Sequence, residues 1–240
     1  MDVRILNGIE EIGNSVAEII AQQVNAKADS VIGFATGASP VPTYKNLVSR
    51  YNNGELSLKN IITFNLDEYC GIPQDCAESY HTFMYENLFG LTDVQDANVN
   101  FLDGNAEDFK AECDRYQKKI ADCGGIDIQL LGIGTNGHIG FNEPGDAFSD
   151  GPFAVELTES TKTSNAGYFS DGIVPDYALT MGVGDILRAR KIILIATGAS
   201  KAKAIAAMIN GEVSPSCPAS VLQQHADVVV FLDEAAASLL

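Results

Sequence analysis

The chain of 240 residues is short of basic side chains: 15 Lys plus Arg stand against 32 Asp plus Glu, a formal charge of −17 at pH 7. That sign is wrong for a surface that collects phosphate backbones, and it excludes nucleic acid as a partner. Long apolar runs are missing too. The stretch from Met1 to Ile12 carries Asp2, Glu10 and Glu11 and contains neither a signal-peptide core nor a membrane span. A soluble, cytoplasmic protein with no membrane partner is the expectation. Cysteine is sparse and unpatterned: Cys70, Cys76, Cys113, Cys123 and Cys217 are odd in number and form no C-x-x-C. That excludes a disulfide framework and argues against a zinc site, leaving free thiols in a reducing compartment. No Pro- or Ser-rich linker and no block of like charge divides the chain, so residues 1–240 read as one domain. What is plentiful is apolar residue, 46% of the total, enough for a substantial core and too much for a disordered chain.

Ile9, Ile12, Val16, Ile19, Ile20 and Val24 recur at helical spacing, and Val31 to Ala35 is a short apolar run of the kind buried on both faces of a parallel sheet. Pro42 sits where it would open a helix whose apolar side carries Tyr44, Leu47, Val48 and Tyr51. The alternation continues with a strand over Ile61–Leu66, a helix over Ser79–Phe89, a helix over Ala106–Ala121 and a strand over Ile126–Ile133. In the last third it predicts a strand over Lys191–Ala196, a helix over Lys201–Asn210 and a helical turn over Val221–Gln224. A strand over Val228–Leu232 and a terminal helix over Glu234–Leu240 complete it. Such alternation specifies an α/β fold, a single-domain, doubly wound, mostly parallel sheet of Rossmann-like type. The segment from Gly145 to Pro175 has the weakest periodicity and reads as a mobile flap.

In an open α/β sheet, ligands bind beyond the carboxyl ends of the strands, so the loops there carry the chemistry. Ala-Thr-Gly-Ala-Ser occurs twice between a strand and a helix, at 35–39 and 196–200, and Lys201 follows the second copy. Small residues at a helix start let amides and hydroxyls approach an anion, though they also serve tight turns; two copies and a lysine favour a phosphate. Phe64-Asn65-Leu66-Asp67-Glu68-Tyr69 puts two carboxylates at a strand end, where a half-buried one can act as a base on a carbon acid. The run from Leu131 to Pro144 packs four glycines around His138, with Glu143 five residues on. His and Glu at that reach form a dyad in which the carboxylate orients the imidazole. One His and one Glu are too few for a zinc or iron site. Gly132-x-Gly134-x-x-Gly137 matches a dinucleotide fingerprint by letter, but it lies in mid-chain and leads into His-Ile-Gly-Phe-Asn-Glu-Pro rather than a helix, which argues against NAD.

At these residues the sequence resembles the glucosamine-6-phosphate deaminase family, also called glucosamine-6-phosphate isomerases, over essentially its whole length. The markers run in order: Gly33 to Pro40, Phe64 to Tyr69, Ser79-Tyr80, Gly137 to Pro144, Ala178 to Gly184, and Lys201. The related 6-phosphogluconolactonases share the glycine-rich lead-in and the histidine but lack Phe-Asn-Glu-Pro. The resemblance implies a cofactor-free aldose-to-ketose isomerisation with loss of ammonia, acting on a small-molecule sugar phosphate and yielding fructose 6-phosphate. It makes His138, oriented by Glu143, the ring-opening residue and Asp67 the base at carbon 2. Asn136 joins their network, and Thr36, Gly37, Ala38, Ser39 and Lys201 take the phosphate. The family contains hexamers and smaller assemblies, so a homo-oligomer is among the states it allows.

Four positions depart from the family pattern. Asn136 stands where many members have aspartate, and Gly167 where an arginine clamps the phosphate from the flap; no arginine lies between Arg115 and Arg188. Losing a bidentate charged contact weakens phosphate binding or marks another substrate. Phe153 and Val155 replace basic residues of allosterically regulated members, so no activation by N-acetylglucosamine 6-phosphate is expected. The alternatives to a deaminase are a divergent isomerase, deaminase or lactonase-like enzyme for another sugar or sugar phosphate, and a non-catalytic sugar-phosphate sensor.

Overall fold

A computed structural model describes residues 1–169 and 172–240. The chain begins with β1 (Asp2–Leu6), α1 (Ile9–Ala26), β2 (Val31–Phe34), α2 (Val41–Asn52), β3 (Ile62–Asn65) and β4 (Asp67–Tyr69). Next come α3 (Tyr80–Asn87), β5 (Val99–Asn100), α4 (Phe109–Asp122), β6 (Ile128–Leu131), β7 (Phe153–Glu156) and α5 (Glu159–Asn165). It closes with β8 (Tyr177–Thr180), α6 (Val183–Leu187), β9 (Lys191–Ala196), α7 (Ala202–Asn210) and β10 (Val228–Asp233). Seven strands form one sheet in the order β1-β10-β9-β6-β2-β3-β5, every neighbouring pair parallel. The doubly wound α/β expectation holds.

The periodic segments form as their patterns require. Ile12, Val16, Ala17, Ile20 and Val24 line the buried stripe of α1, and Val31, Ile32 and Phe34 are buried in β2. Helices cover both faces of the sheet, giving one core layer around Phe64, Tyr116, Leu131 and Leu194 and another around Ile20, Phe34, Leu47 and Phe231. Each fully buried side chain of this size contributes about 1.5–3 kcal/mol by leaving water. Local caps fix two helix starts: Ser79 accepts from the Thr82 amide before α3, and Asp108 from the Ala111 amide before α4.

Three expectations need correction. Residues 234–239 form turns, not a terminal helix. The Asp233 carboxylate takes the Ala236 amide at 2.7 Å, and so short an alanine-rich run cannot offset the cost of nucleating a helix. The helix predicted from Ala106 starts at Phe109, because Asp108 caps it there, and the one predicted through Phe89 ends at Asn87 before a 3₁₀ turn over Phe89–Leu91. The sequence pattern also missed β1 and a second sheet, antiparallel, of order β4-β8-β7. That sheet holds part of the 145–175 segment, which is not structureless: it contains β7 and α5, while residues 170–171 lie outside the described ones. Among the described residues no helix is long and apolar enough to cross a membrane.

Candidate active site

β2 pairs with β3 on one side and with β6 on the other, so the strand order reverses between β2 and β6. Ligands collect in the crevice at such a switch point, beyond the carboxyl ends of the strands. The loops that follow β2, β6 and β9 are therefore neighbours there, and they are the three glycine-bearing loops singled out in the sequence.

Asp67 reaches this edge because the chain changes sheets just before it. The Leu66 amide still bonds Phe34 in the large sheet, at 3.0 Å, while the Leu66 carbonyl accepts from Met181 at 2.8 Å. Asp67 itself lies opposite Thr180 in β8. It is 6% exposed, and its side chain accepts no hydrogen bond among the described residues. Burial, and after it the neighbouring Glu68, push its carboxyl up to about 8. Glu68 is 3% exposed but richly held: its carboxylate accepts the amides of Tyr69 at 2.9 Å, Tyr80 at 3.0 Å and His81 at 2.9 Å. Burial raises the Glu68 carboxyl, and these amides oppose it.

The loop after β6 folds back on its glycines. Gly134 donates to the His138 carbonyl at 2.9 Å and accepts from Gly137 at 3.1 Å. A Cβ on Gly134 would lie 2.3 Å from the imidazole, so no side chain fits there without displacing the ring. His138 Nδ1 stands 3.4 Å from Glu143 Oε1, an ion-pair spacing rather than a short hydrogen bond. Asn136 Nδ2 donates to Glu143 Oε2 at 2.7 Å, and its Oδ1 accepts the His138 amide at 3.2 Å. Thr161, on α5, donates to Glu143 Oε1 at 2.5 Å. Burial works to raise the Glu143 carboxyl, but His138, Thr161 and Asn136 outweigh it and hold it at about 2. Thr180, opposite Asp67, accepts the Phe141 amide at 3.1 Å and so ties this loop to the strand pair carrying Asp67.

The sequence-predicted residues Asn136, His138 and Glu143 thus meet in one network, with Asp67 on the same edge. The two Ala-Thr-Gly-Ala-Ser loops are not equivalent. In the first, Gly37 adopts φ 92° before α2, leaving Thr36, Ala38 and Ser39 at a helix start. In the second, the Gly198 amide donates to both carboxylate oxygens of Asp233 at 3.0 Å and is not free for an anion. Lys201 beyond it is half-buried, and desolvation lowers its ammonium from the ordinary lysine value. Gly167 lies in a 3₁₀ turn over Ala166–Tyr168, with open space where a side chain would start.

Sequence reasoning missed the aromatic wall and the flap contacts. Tyr69 packs on Tyr80, Phe141 and Phe169 at centroid distances of 4.8, 5.7 and 5.1 Å, and Asn165 donates to its hydroxyl at 3.0 Å. Nothing in the periodicity marks Thr161 or Asn165, whose partners lie 18 and 96 residues away. Two cavities, about 530 Å³ beside Gln117 and Arg188 and about 660 Å³ beneath Ile173 and Tyr177, are lined by other residues. Convergence of titratable groups, not volume, marks the site.

Comparison with known proteins agrees with this geometry. Residues 7–231 match the family described as glucosamine-6-phosphate isomerases/6-phosphogluconolactonase. A glucosamine-6-phosphate deaminase from Clostridium acetobutylicum is 45% identical with both chains fully covered. One from Lysinibacillus sphaericus is 47% identical over 94% of this chain and 96% of its own. A solved monomeric glucosamine-6-phosphate deaminase superposes with a TM-score of 0.97 at 43% identity, again covering both chains. A 6-phosphogluconolactonase from Trypanosoma brucei shares the fold, with a TM-score of 0.80 at 22% identity over 100% of this chain and 98% of its own. The chain belongs to the family of glucosamine-6-phosphate isomerases and 6-phosphogluconolactonases.

Proposed function

We propose that this protein converts glucosamine 6-phosphate and water to fructose 6-phosphate and ammonia. The observation that carries the reading is the division of labour among carboxylates at one sheet edge. Glu143 is ionised and bound to His138, while Asp67 is buried, without donors and avid for a proton. A hydrolytic lactonase needs no base at a carbon acid; an isomerase does. Full-length identity near 45% to proteins named as deaminases supports the same choice.

In this reading Thr36, Gly37, Ala38, Ser39 and Lys201 bind the 6-phosphate. His138, oriented by Glu143, passes a proton from the anomeric hydroxyl to the ring oxygen, and the pyranose opens. Asp67 takes the proton from carbon 2 and returns it to carbon 1, while a proton passes from the amine nitrogen to the carbon 1 oxygen, turning the amino aldose into a ketose imine. Water adds to carbon 2 of the imine, and ammonia leaves with the proton that His138 or Asp67 supplies. Positioning and base catalysis of this kind contribute about two to four powers of ten from the base alone. Asn136 replaces a charged partner with a neutral one and keeps the Glu143 contact by its amide.

The test is release of ammonia and fructose 6-phosphate by the purified protein from glucosamine 6-phosphate, with glucosamine and galactosamine 6-phosphate alongside. Turnover of the first alone supports the reading. Turnover of another substrate assigns Gly167 a part in a changed specificity, and a folded protein inert to all three refutes it. Added N-acetylglucosamine 6-phosphate is expected to leave the saturation curve unchanged, given Phe153 and Val155.

A further inference from the structure

Glu68 is used by none of the steps above, yet it is among the best-held carboxylates in the molecule. Its three donors are consecutive features of the fold: the amide of its own neighbour Tyr69 and the first two amides of α3, those of Tyr80 and His81. A helix start favours a negative charge there, and each such charge-assisted bond favours the ionised carboxylate. Beside it on β4, Asp67 has none of these donors. Two adjacent buried carboxyls with such unequal surroundings cannot share protonation evenly; the donors fix the charge on Glu68 and leave the proton to Asp67. The two bonds from Tyr80 and His81 tie β4 to the start of α3, which Ser79 caps. Tyr80, its first residue, stacks on Phe141 with an interplanar angle of 6°, donates to the Tyr69 hydroxyl at 3.2 Å and interacts with Thr36 of the first glycine loop.

We propose that Glu68 is a positioning residue for the isomerisation: its charge, fixed by the start of α3, keeps Asp67 basic, and its bonds hold Tyr80 between the base and the Thr36 loop. The inference rests on Asp67 being the base of the deaminase reading. The other titratable groups facing Asp67 are hydroxyls: Tyr44 from α2, Tyr80 from α3, Tyr116 from α4 and Tyr69 on its own strand. Burial raises all four, so they are neutral through the working range and cannot take over the role of Glu68.

The experiment is Glu68→Gln in the full chain, an isosteric change that removes the charge and, with the amide oxygen toward Tyr69 and Tyr80, the one bond from His81. Two readouts are taken: the acid limb of kcat/KM for glucosamine 6-phosphate, and the ¹³C-carboxyl titration of Asp67, assigned by its disappearance in Asp67→Asn. The expected result is a midpoint for Asp67, and an acid limb, lower by about one pH unit. A purely structural helix cap would leave both where they are, and an unmoved Asp67 midpoint overturns the proposal. Wild-type protein inert to the sugar refutes the deaminase reading instead, and the ¹³C titration still decides on Glu68. Should Glu68→Gln fail to fold, the wild-type spectrum decides: Glu68 is to remain ionised while Asp67 takes up its proton on acidification. Protonation of Glu68 first overturns the proposal.

Discussion

Replacing Asp67 with asparagine should abolish turnover and yet stabilise the fold at alkaline pH. The carboxyl titrates at 3.8 in an unfolded chain and at about 8 in the folded one. A raised acid pKa means that the folded state holds the proton more tightly. Its contribution is therefore fully present below about pH 3.8, declines as pH rises to about 8, and is flat beyond. About four pH units at about 1.4 kcal/mol each set a ceiling near 6 kcal/mol on what the wild type loses across that window. Local relaxation lowers the true figure, and the new amide brings unsatisfied N–H groups worth about 1–3 kcal/mol. The net expectation is that Asp67→Asn is more stable than wild type by about 1–3 kcal/mol near pH 9, and no more stable near pH 5. Urea unfolding of both proteins across the range reads the difference, with substrate binding by calorimetry showing that the site persists. A stability gap that does not widen with pH would refute the assignment of a buried, donor-free carboxyl to this position, whatever the kinetics.

Glu143→Gln should behave with the opposite sign. Its folded value of about 2 lies below the ordinary 4.5, so its stabilisation is present above pH 4.5 and lost as pH falls toward 2. The variant should be less stable by about 1–3 kcal/mol at neutral pH, with a gap that closes in acid and a reduced kcat; an equal gap at all pH values would contradict the ion pair. Thr161→Val removes the hydroxyl that donates to Glu143 at 2.5 Å while keeping shape, and should lower kcat/KM by about tenfold without loss of helix by circular dichroism. Gly167→Arg meets open space and should lower KM for glucosamine 6-phosphate by about tenfold with kcat little changed. An unchanged KM would mean that the flap does not bring position 167 to the phosphate.

What the sequence disclosed divides along the range of the interactions concerned. Val31–Phe34 and Lys191–Ala196 are strands because their apolar runs are buried on both faces, a property written in the runs themselves. The strand over Asp67–Tyr69 has no such signature, since two of its three residues are charged or polar by ordinary count and its partner Ala178–Thr180 is about 110 residues away. The Asn136, His138 and Glu143 network was legible because a glycine-rich loop brings near neighbours together. Thr161 and Asn165 were not, because long-range pairing through β7 and β8 decides where α5 lies. The equivalence of the two repeated pentapeptides failed for the same reason: Asp233, from the end of β10, occupies the Gly198 amide of one copy only.

Three carboxylates at this edge show how environment, not residue type, assigns chemistry. Glu68 accepts three amides, which oppose the rise that burial imposes on its carboxyl. Glu143 accepts from Asn136 and Thr161, faces His138 and is held near 2. Asp67 accepts no hydrogen bond among the described residues and is pushed to about 8. A hydrogen-bond donor offered to a buried carboxylate stabilises its ionised form, so in the proposed reading the supply of donors sorts the three into a fixed charge, an imidazole partner and a base. The fold achieves this with a single change of sheet at Leu66, which carries Asp67 away from the amides of β3 and sets Glu68 against the start of α3.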